Sequence, residues 1–520
     1  MVKEGSYDLV VGNPPYQGLG KTALSTYVAK NSPRGKADLY AAFLERGLQL
    51  VHEDGYSAFL TMRGWMFLSQ FRSLREHLLL TFDLRSIGDV DRGAFEDVPD
   101  EVLATTMTVV RRHAPLRTTS VALQPTSPSD RSRDAERTKR KRAALLTQVG
   151  RFEFSPQSFK AIDGEPIVYW WSQDFLAQYE KAPKLGEKSP GRAAQSTSNN
   201  TRFVRFVWET RRRSFPRIGD ARFTSEYENA WQAFVNGAEG RMWLEPLREV
   251  IKWRYCGLQI KLLKSRLTNR DAFVLASEEY FLGEGIAFSM IGNTFSARAH
   301  RYRSILGDKG SSIYPESVAE TLCSMNLSIA RRALESLNPS ISFQVGDVNR
   351  MPLFPVASAN AVFDRLQYVF ATHESAREPS VEFKCPVANA WRSAQDWAQQ
   401  SIDCAGAAPL PPCELSFEPP RTLDFVSFAI GIALGRFGAN GEGILSEAPP
   451  AALPNGILFL SAATEEDSLK HPACAPILDS WKEHGPEIAE GTDLRTWLRK
   501  DFFAHHKSVY ENRPIYFPLS

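Results

Sequence analysis

Tyr7-Asp-Leu-Val-Val-Gly12, running straight into Asn13-Pro-Pro-Tyr16, is the stretch whose reading decides the fold. A short apolar run that stops at two prolines reads as a buried strand ending in a rigid loop, because proline offers no N–H to a ladder. Asp38 then opens a helical pattern. Leu39, Phe43, Gly47 and Val51 share one stripe, with Tyr40, Leu44 and Leu48 beside it, until Asp54-Gly55 breaks the period. Residues 56–62 read as a second strand, 65–80 as a second helix, 84–90 as a third strand and 102–110 as a fourth. Strands alternating with helices predict an α/β layer structure with a largely parallel sheet.

Such sheets bind ligands beyond the carboxyl ends of their strands, and residues 13–16 occupy one such end. Asn13 offers an amide carbonyl, Pro14 and Pro15 fix the backbone, and Tyr16 supplies a flat aromatic face. Standing before proline, Asn13 is pushed toward extended geometry, which sets side-chain and main-chain acceptors near one another. A planar amino group fits between them.

The motif, the strand before it and the Asp38-Leu-Tyr-Ala-Ala-Phe43 helix after it resemble the TaqI-like (gamma class) DNA adenine-N6 methyltransferases. The resemblance implies S-adenosyl-L-methionine as methyl donor and a catalytic set of Asn13, Pro14, Pro15 and Tyr16. In that scheme Tyr16 stacks on an adenine flipped out of duplex DNA, while the Asn13 side chain and the Pro14 carbonyl accept hydrogen bonds from its amino group. Asn13, Asp38 and Phe43 correspond to cofactor contacts, although Phe43 at helical spacing also suits a core position. No metal is expected. Gly18-Leu-Gly-Lys-Thr22 invites a competing P-loop NTPase reading, but Pro15 stands where that motif needs its first glycine.

Two basic stretches follow. Residues 131–142 hold seven basic and two acidic residues, a local charge of +5, and read as a solvated connector or a phosphate contact. Residues 199–222 have the same balance with aromatics interleaved, suggesting a short strand at 203–208 and DNA contacts through Arg202, Arg205, Arg211, Arg212 and Arg213. Asn199-Asn-Thr-Arg-Phe-Val-Arg-Phe-Val-Trp-Glu209 is also similar to the PglX methyltransferases of BREX phage-defence systems. Further similarity lies in the strand-like Glu278–Phe281, in Gly285–Ser289, Phe295–Arg298 and Ser340–Asp347, and in the closing segments near Trp497 and Tyr510. Phe288 departs from the tryptophan expected there.

The fold class expected is a partial class I (Rossmann-like) methyltransferase sheet, then a mixed α+β target-recognition domain and a helical C-terminal region. The expected boundaries are 1–118 for the C-terminal half of the catalytic domain, 119–147 for a basic linker, 148–356 for target recognition and 357–520 for the helical region. Only six residues precede Tyr7, and no later GxG turn has the strand-turn-helix context that a cofactor needs. The expectation is therefore that a separate chain supplies the glycine-rich half, or that the protein is a DNA-binding fragment unable to methylate. Double-stranded DNA and other phage-defence proteins are the remaining expected partners.

The whole chain, 520 residues with 43% hydrophobic and 23% charged, has neither a disordered nor a fibrous composition. The net charge of +2 conceals the two basic stretches. Six scattered cysteines without a CxxC pair argue against zinc. The apolar run 425–434 is too short for a membrane span, so a cytoplasmic location is expected. Adjacent His505 and His506 point to different helix faces, which favours packing over metal binding.

Overall fold

The computed structural model describes residues 3–20, 22–95, 104–116, 119–125, 136–193, 197–210, 231–237, 240–269, 275–292, 294–338, 342–404, 409–460 and 468–519. The chain forms two compact units: Met1–Pro183 with Glu335–Ser340, and Lys184–Leu334 with Ile341–Ser520.

In the first unit the elements run β1 (Tyr7–Gly12), α1 (Ser25–Asn31), α2 (Leu39–Leu50), β2 (Val51–Met62), α3 (Arg72–Thr81), β3 (Asp83–Asp91), β4 (Thr105–Arg111), β5 (Ser120–Leu123), α4 (Arg137–Leu146), β6 (Arg151–Phe154) and α5 (Gln173–Lys181). Among the described residues the strands form one six-stranded sheet in the order β1-β2-β4-β3-β5-β6. The expected largely parallel sheet is instead mixed. Within it β1·β2 and β3·β5 pair in parallel, and β4 enters between β2 and β3, antiparallel to both. No helical pattern separates β3 from β4 in sequence, and a strand reached without a crossover helix returns antiparallel.

The β1 strand also departs from expectation. It lies at the sheet edge, and Tyr7, Leu9 and Val11 are 42%, 56% and 70% exposed rather than buried. Its inner neighbour is packed closely: a Cβ at Gly12 or Gly47 would approach the Phe59 ring of β2 to 2.6 Å or 2.3 Å, so glycine lets α2 and the end of β1 close around that ring. The helix expected over 65–80 begins as two single 3₁₀ turns, Arg63–Met66 and Ser69–Phe71, before α3. The cause is Arg75, fully buried, whose guanidinium donates to the carbonyls of Trp65 (2.8 Å) and Leu68 (2.7 Å) and draws them out of the helical ladder.

The boundary expected at residue 118 falls inside this unit, because β5 and β6 continue the sheet and α4 packs on it. Lys141 in α4 is buried and donates to the carbonyls of Val90 and Arg92, so the described part of the first basic stretch, 136–142, is an anchored helix rather than a solvated connector. Residues 131–135 lie outside the described residues.

The chain after residue 184 forms α6 (Leu185–Lys188), α7 (Asn200–Phe203), β7 (Val204–Phe206), β8 (Trp231–Val235), β9 (Trp243–Glu245), β10 (Glu249–Lys252), α8 (Arg254–Thr268), β11 (Ile286–Phe288), β12 (Ala297–His300), β13 (Ser304–Leu306), β14 (Ser312–Ile313), α9 (Val318–Asn326), α10 (Ser328–Leu337), α11 (Val345–Val348), α12 (Ala359–Ala376), α13 (Trp391–Asp403), α14 (Thr422–Ala433), α15 (Ala475–Ile488), α16 (Leu494–Lys500) and α17 (Phe502–Val509). Its described strands make two four-stranded sheets, β13-β8-β10-β7 and β14-β11-β12-β9. No compact break falls at 357: Trp243, Ile286 and Phe288 of the second sheet share a core with Leu322 of α9, Val362 and Leu366 of α12 and Ala394 of α13. The strand expected at 278–281 is a 3₁₀ turn, because the Glu278 carboxylate accepts from the Leu275 N–H (2.9 Å) and pairs with Lys261. His506 is buried against Tyr510 and Tyr516 and accepts from two backbone N–H groups, a packing role. None of the described residues forms a His/Cys/Asp/Glu group suited to a metal, and no described helix is long and apolar enough to cross a membrane.

Candidate active site

The loop after β1 is held from two sides. Asp38 caps α2 by accepting from the Tyr40 N–H (3.3 Å), and the same carboxylate oxygen accepts from the Gln17 N–H (3.1 Å). Main-chain bonds add a short antiparallel clamp: Leu39 N–H donates to the Gln17 carbonyl (2.9 Å) and Leu19 N–H to the Ala37 carbonyl (3.3 Å). Within α2, Glu45 is buried and accepts from the N–H groups of Arg34 (3.1 Å) and Gly35 (3.0 Å) upstream of the helix, which fixes the turn feeding it.

Within the loop Asn13 is exposed, Pro14 buried, Pro15 exposed and Tyr16 half-buried. The Tyr16 hydroxyl donates to Asn13 Oδ1 at 3.2 Å. That carboxamide oxygen has a second lone pair, so it can accept one more proton donor without releasing the tyrosine. The edge of one tyrosine ring meets the face of another: Tyr16 and Tyr40 are T-shaped at 6.1 Å, and Tyr40 is backed by Phe71 at 5.7 Å. Burial raises the pKa of Tyr16 and raises that of Tyr40 further, with the Asp38 charge adding to the latter, so both hydroxyls stay protonated donors. Burial also raises the Asp38 pKa, against the backbone N–H bonds that lower it.

The sequence-derived residues thus divide. Asn13, Pro14, Pro15, Tyr16 and Asp38 come together, and Phe43 stands on α2 with its side chain 41% exposed. Tyr40 and Gln17 are additions that sequence reasoning did not single out. Tyr40 lay beside the apolar stripe, where a buried tyrosine that supports a loop looks the same as one that fills a core. Among the described residues of 18–22, the Leu19 and Thr22 amides are spent on the Ala37 and Leu19 carbonyls and are not offered to a phosphate, and Lys21 lies outside the described residues.

In the second unit Arg202 is exposed with its guanidinium 5.1 Å from the Phe203 ring centre. Arg205 is half-buried on β7 and donates to the carbonyls of Thr201 (2.6 Å) and Val204 (2.7 Å). Arg211, Arg212 and Arg213 lie outside the described residues.

The Eco57I restriction-modification methylase family model matches residues 1–95, the segment that contains the loop and its clamp. Over 362 residues the chain is 30% identical to the adenine-specific methyltransferase PglX of Lacticaseibacillus casei (strain Zhang), covering 67% of this chain and 29% of that protein. Over 357 residues it is 26% identical to the adenine-specific methyltransferase BrxX of Escherichia coli O9:H4 (strain HS), covering 67% and 28%. The chain is related to the PglX- and BrxX-type adenine-specific methyltransferases. It spans under a third of the length of these curated relatives. Among solved structures, a nuclease-deletion mutant of the Type ISP restriction-modification enzyme LlaGI in complex with a DNA substrate mimic aligns with a TM-score of 0.41 at 11% identity, covering 69% of this chain and 41% of that one.

Proposed function

We propose that this PglX-like chain carries the catalytic loop and DNA-contacting region of a site-specific adenine-N6 methyltransferase that acts in phage defence. The observation that carries the reading is the Asn13–Tyr16 pair: an exposed amide oxygen and a half-buried aromatic face, hydrogen-bonded to one another at the carboxyl end of β1. Tyr16 stacks on an extruded adenine, and Asn13 Oδ1 with the Pro14 carbonyl accepts the two amino hydrogens, drawing the nitrogen lone pair out of ring conjugation. S-adenosyl-L-methionine supplies the methyl group when bound.

The residues present fit one wall of such a cofactor site. Phe43 offers an exposed ring and Asn13 an exposed amide, whereas the Asp38 carboxylate is already engaged by two backbone donors. β1 is the edge of the described sheet and leaves Tyr7, Leu9 and Val11 uncovered on one face, which supports a glycine-rich cofactor-binding half in additional polypeptide that pairs with the edge backbone and packs over that face. Arg202 and the basic segment beyond it contact the duplex.

Methylation-sensitive sequencing of the source genome tests the reading. Asn13→Ala at the chromosomal locus should abolish N6-methyladenine at the recognition sites, while the purified variant retains duplex DNA binding. Persistence of the mark would overturn the proposal.

A further inference from the structure

The chain leaves β10 by a turn whose backbone no ordinary packing explains. The β7 and β10 strands are antiparallel with Ile251 opposite Val204, and the next buried residues of each, Trp253 and Phe203, share one small core with Ile260 and Phe281. Immediately after Trp253 and Arg254 three consecutive residues take left-handed geometry: Tyr255 (φ 54°, ψ 49°), Cys256 (φ 51°, ψ 42°) and Gly257 (φ 71°, ψ 22°). Glycine at 257 is accounted for, since a Cβ there would stand 2.6 Å from the Trp253 ring. Tyr255 is not. A side chain beyond Cα is disfavoured in this region, and strain of this kind at a non-glycine residue is retained where the surroundings or the function demand it.

Burial does not repay the strain at Tyr255, because the ring is 56% exposed. The turn instead thrusts Arg254 and Tyr255 outward together, with the guanidinium 5.6 Å from the ring centre. Arg202, also exposed, lies 5.1 Å from the Phe203 ring centre just before β7, whose Val204 is opposite Ile251 of β10. Two cations and an aromatic ring are therefore exposed near the same end of the β7/β10 pair.

Resting on the reading of this chain as a DNA-modifying protein, we propose that the Arg254-Tyr255 turn is a DNA-probing element: Tyr255 wedges into a base step from the groove while Arg202 and Arg254 pair with flanking phosphates. Charge sets the choice of occupant, since both exposed side chains beside the ring are cationic and a duplex offers paired rows of phosphates around a stackable interior. The backbone holds the ring out before DNA arrives, so little ordering is needed on binding.

The experiment uses the full chain and a fluorescein-labelled random-sequence duplex, titrated across a salt series. Tyr255→Ala should weaken binding by at most roughly 5- to 150-fold, the worth of one base stack before the cost of opening the base step, with the salt slope unchanged. Tyr255→Phe should bind as the wild type does. Arg202→Ala and Arg254→Ala should each reduce the slope of log affinity against log salt by about one. Tyr255→Gly carries the further readout: it relieves the backbone strain, so its melting temperature should rise while its DNA affinity falls. A Tyr255→Gly protein that is more stable and binds DNA as well as the wild type overturns the proposal and leaves the DNA reading standing. Failure of the wild-type chain to bind any duplex overturns both.

Discussion

Asp38 can serve the site in two ways, and one substitution series separates them. In the structure its carboxylate is a clamp: one oxygen accepts from the Tyr40 N–H at 3.3 Å as the cap of α2 and from the Gln17 N–H at 3.1 Å, one residue after Tyr16. Asp38→Ala removes both bonds. Losing a helix cap costs about 1 kcal/mol. The Gln17 bond is solvent-facing, so its loss adds about 1 kcal/mol rather than the larger figure for a buried charged bond. The sum is about 2 kcal/mol, which for a unit of this size lowers the melting temperature by about 4–8 °C. The main-chain bonds Leu39–Gln17 and Leu19–Ala37 remain, so the loop should stay docked but hold Tyr16 less firmly.

Asp38→Asn keeps an acceptor oxygen of the same reach, and asparagine caps helices as well as aspartate. Its stability should therefore match the wild type. Thermal unfolding by circular dichroism and adenine methylation by the active assembly are then read on all three proteins. If the residue only positions the loop, Asp38→Asn preserves both stability and activity. If its charge also touches cofactor, Asp38→Asn loses activity at full stability. An Asp38→Ala protein that melts with the wild type, or an Asp38→Asn protein as unstable as the alanine variant, would refute the clamp.

Buried ionisable groups give the other outcomes. His300 and His506 have pKa values pushed down to about 3, chiefly by burial, with the nearby Arg298 charge adding at the first and Arg436 then His505 at the second. Each binds its proton less readily when folded, so its contribution to stability is whole above the ordinary histidine pKa and is lost as pH falls below it; at pH 5 each should cost about 2 kcal/mol relative to pH 7.5. His506→Gln should flatten the pH dependence of urea unfolding by about one proton, and an unchanged slope would show that His506 is not held neutral. Lys141 donates to the Val90 and Arg92 carbonyls from a buried position, so Lys141→Ala should destabilise the fold by about 2–4 kcal/mol in denaturant titrations while leaving the salt slope of DNA binding unaltered. A reduced slope at full stability would instead place Lys141 on phosphate.

How far the sequence could be read follows from the range of the forces involved. The β1 strand at 7–12, the start of the helix after Asp38 and the third strand were legible within a residue or two, because apolar periodicity and capping act between neighbours along the chain; the helix end was not, since it stops at Leu50 and Val51, read as helical, begins β2. The Asn13–Tyr16 loop was legible for the same reason: prolines and a strand end are local facts, and the residue types declare their chemistry.

What the sequence could not decide were matters of partnership. Whether β1 is buried or an edge depends on which strands pair beside it, and its apolar composition is the same in either case. The insertion of β4 between β2 and β3 is a choice of neighbour that no periodicity records. The basic run at 136–142 reads as a solvated surface by charge count, yet two carbonyls at the end of β3 capture Lys141, a bond between residues about fifty positions apart. The same holds for Arg75, which remodels the start of its own helix through its donor bonds. By itself the sequence determined most elements of the first unit and the place and residue types of one loop. Tertiary structure decided which polar groups are spent inside the fold and which remain exposed for a substrate, because hydrogen bonds and burial are settled by contacts between distant residues.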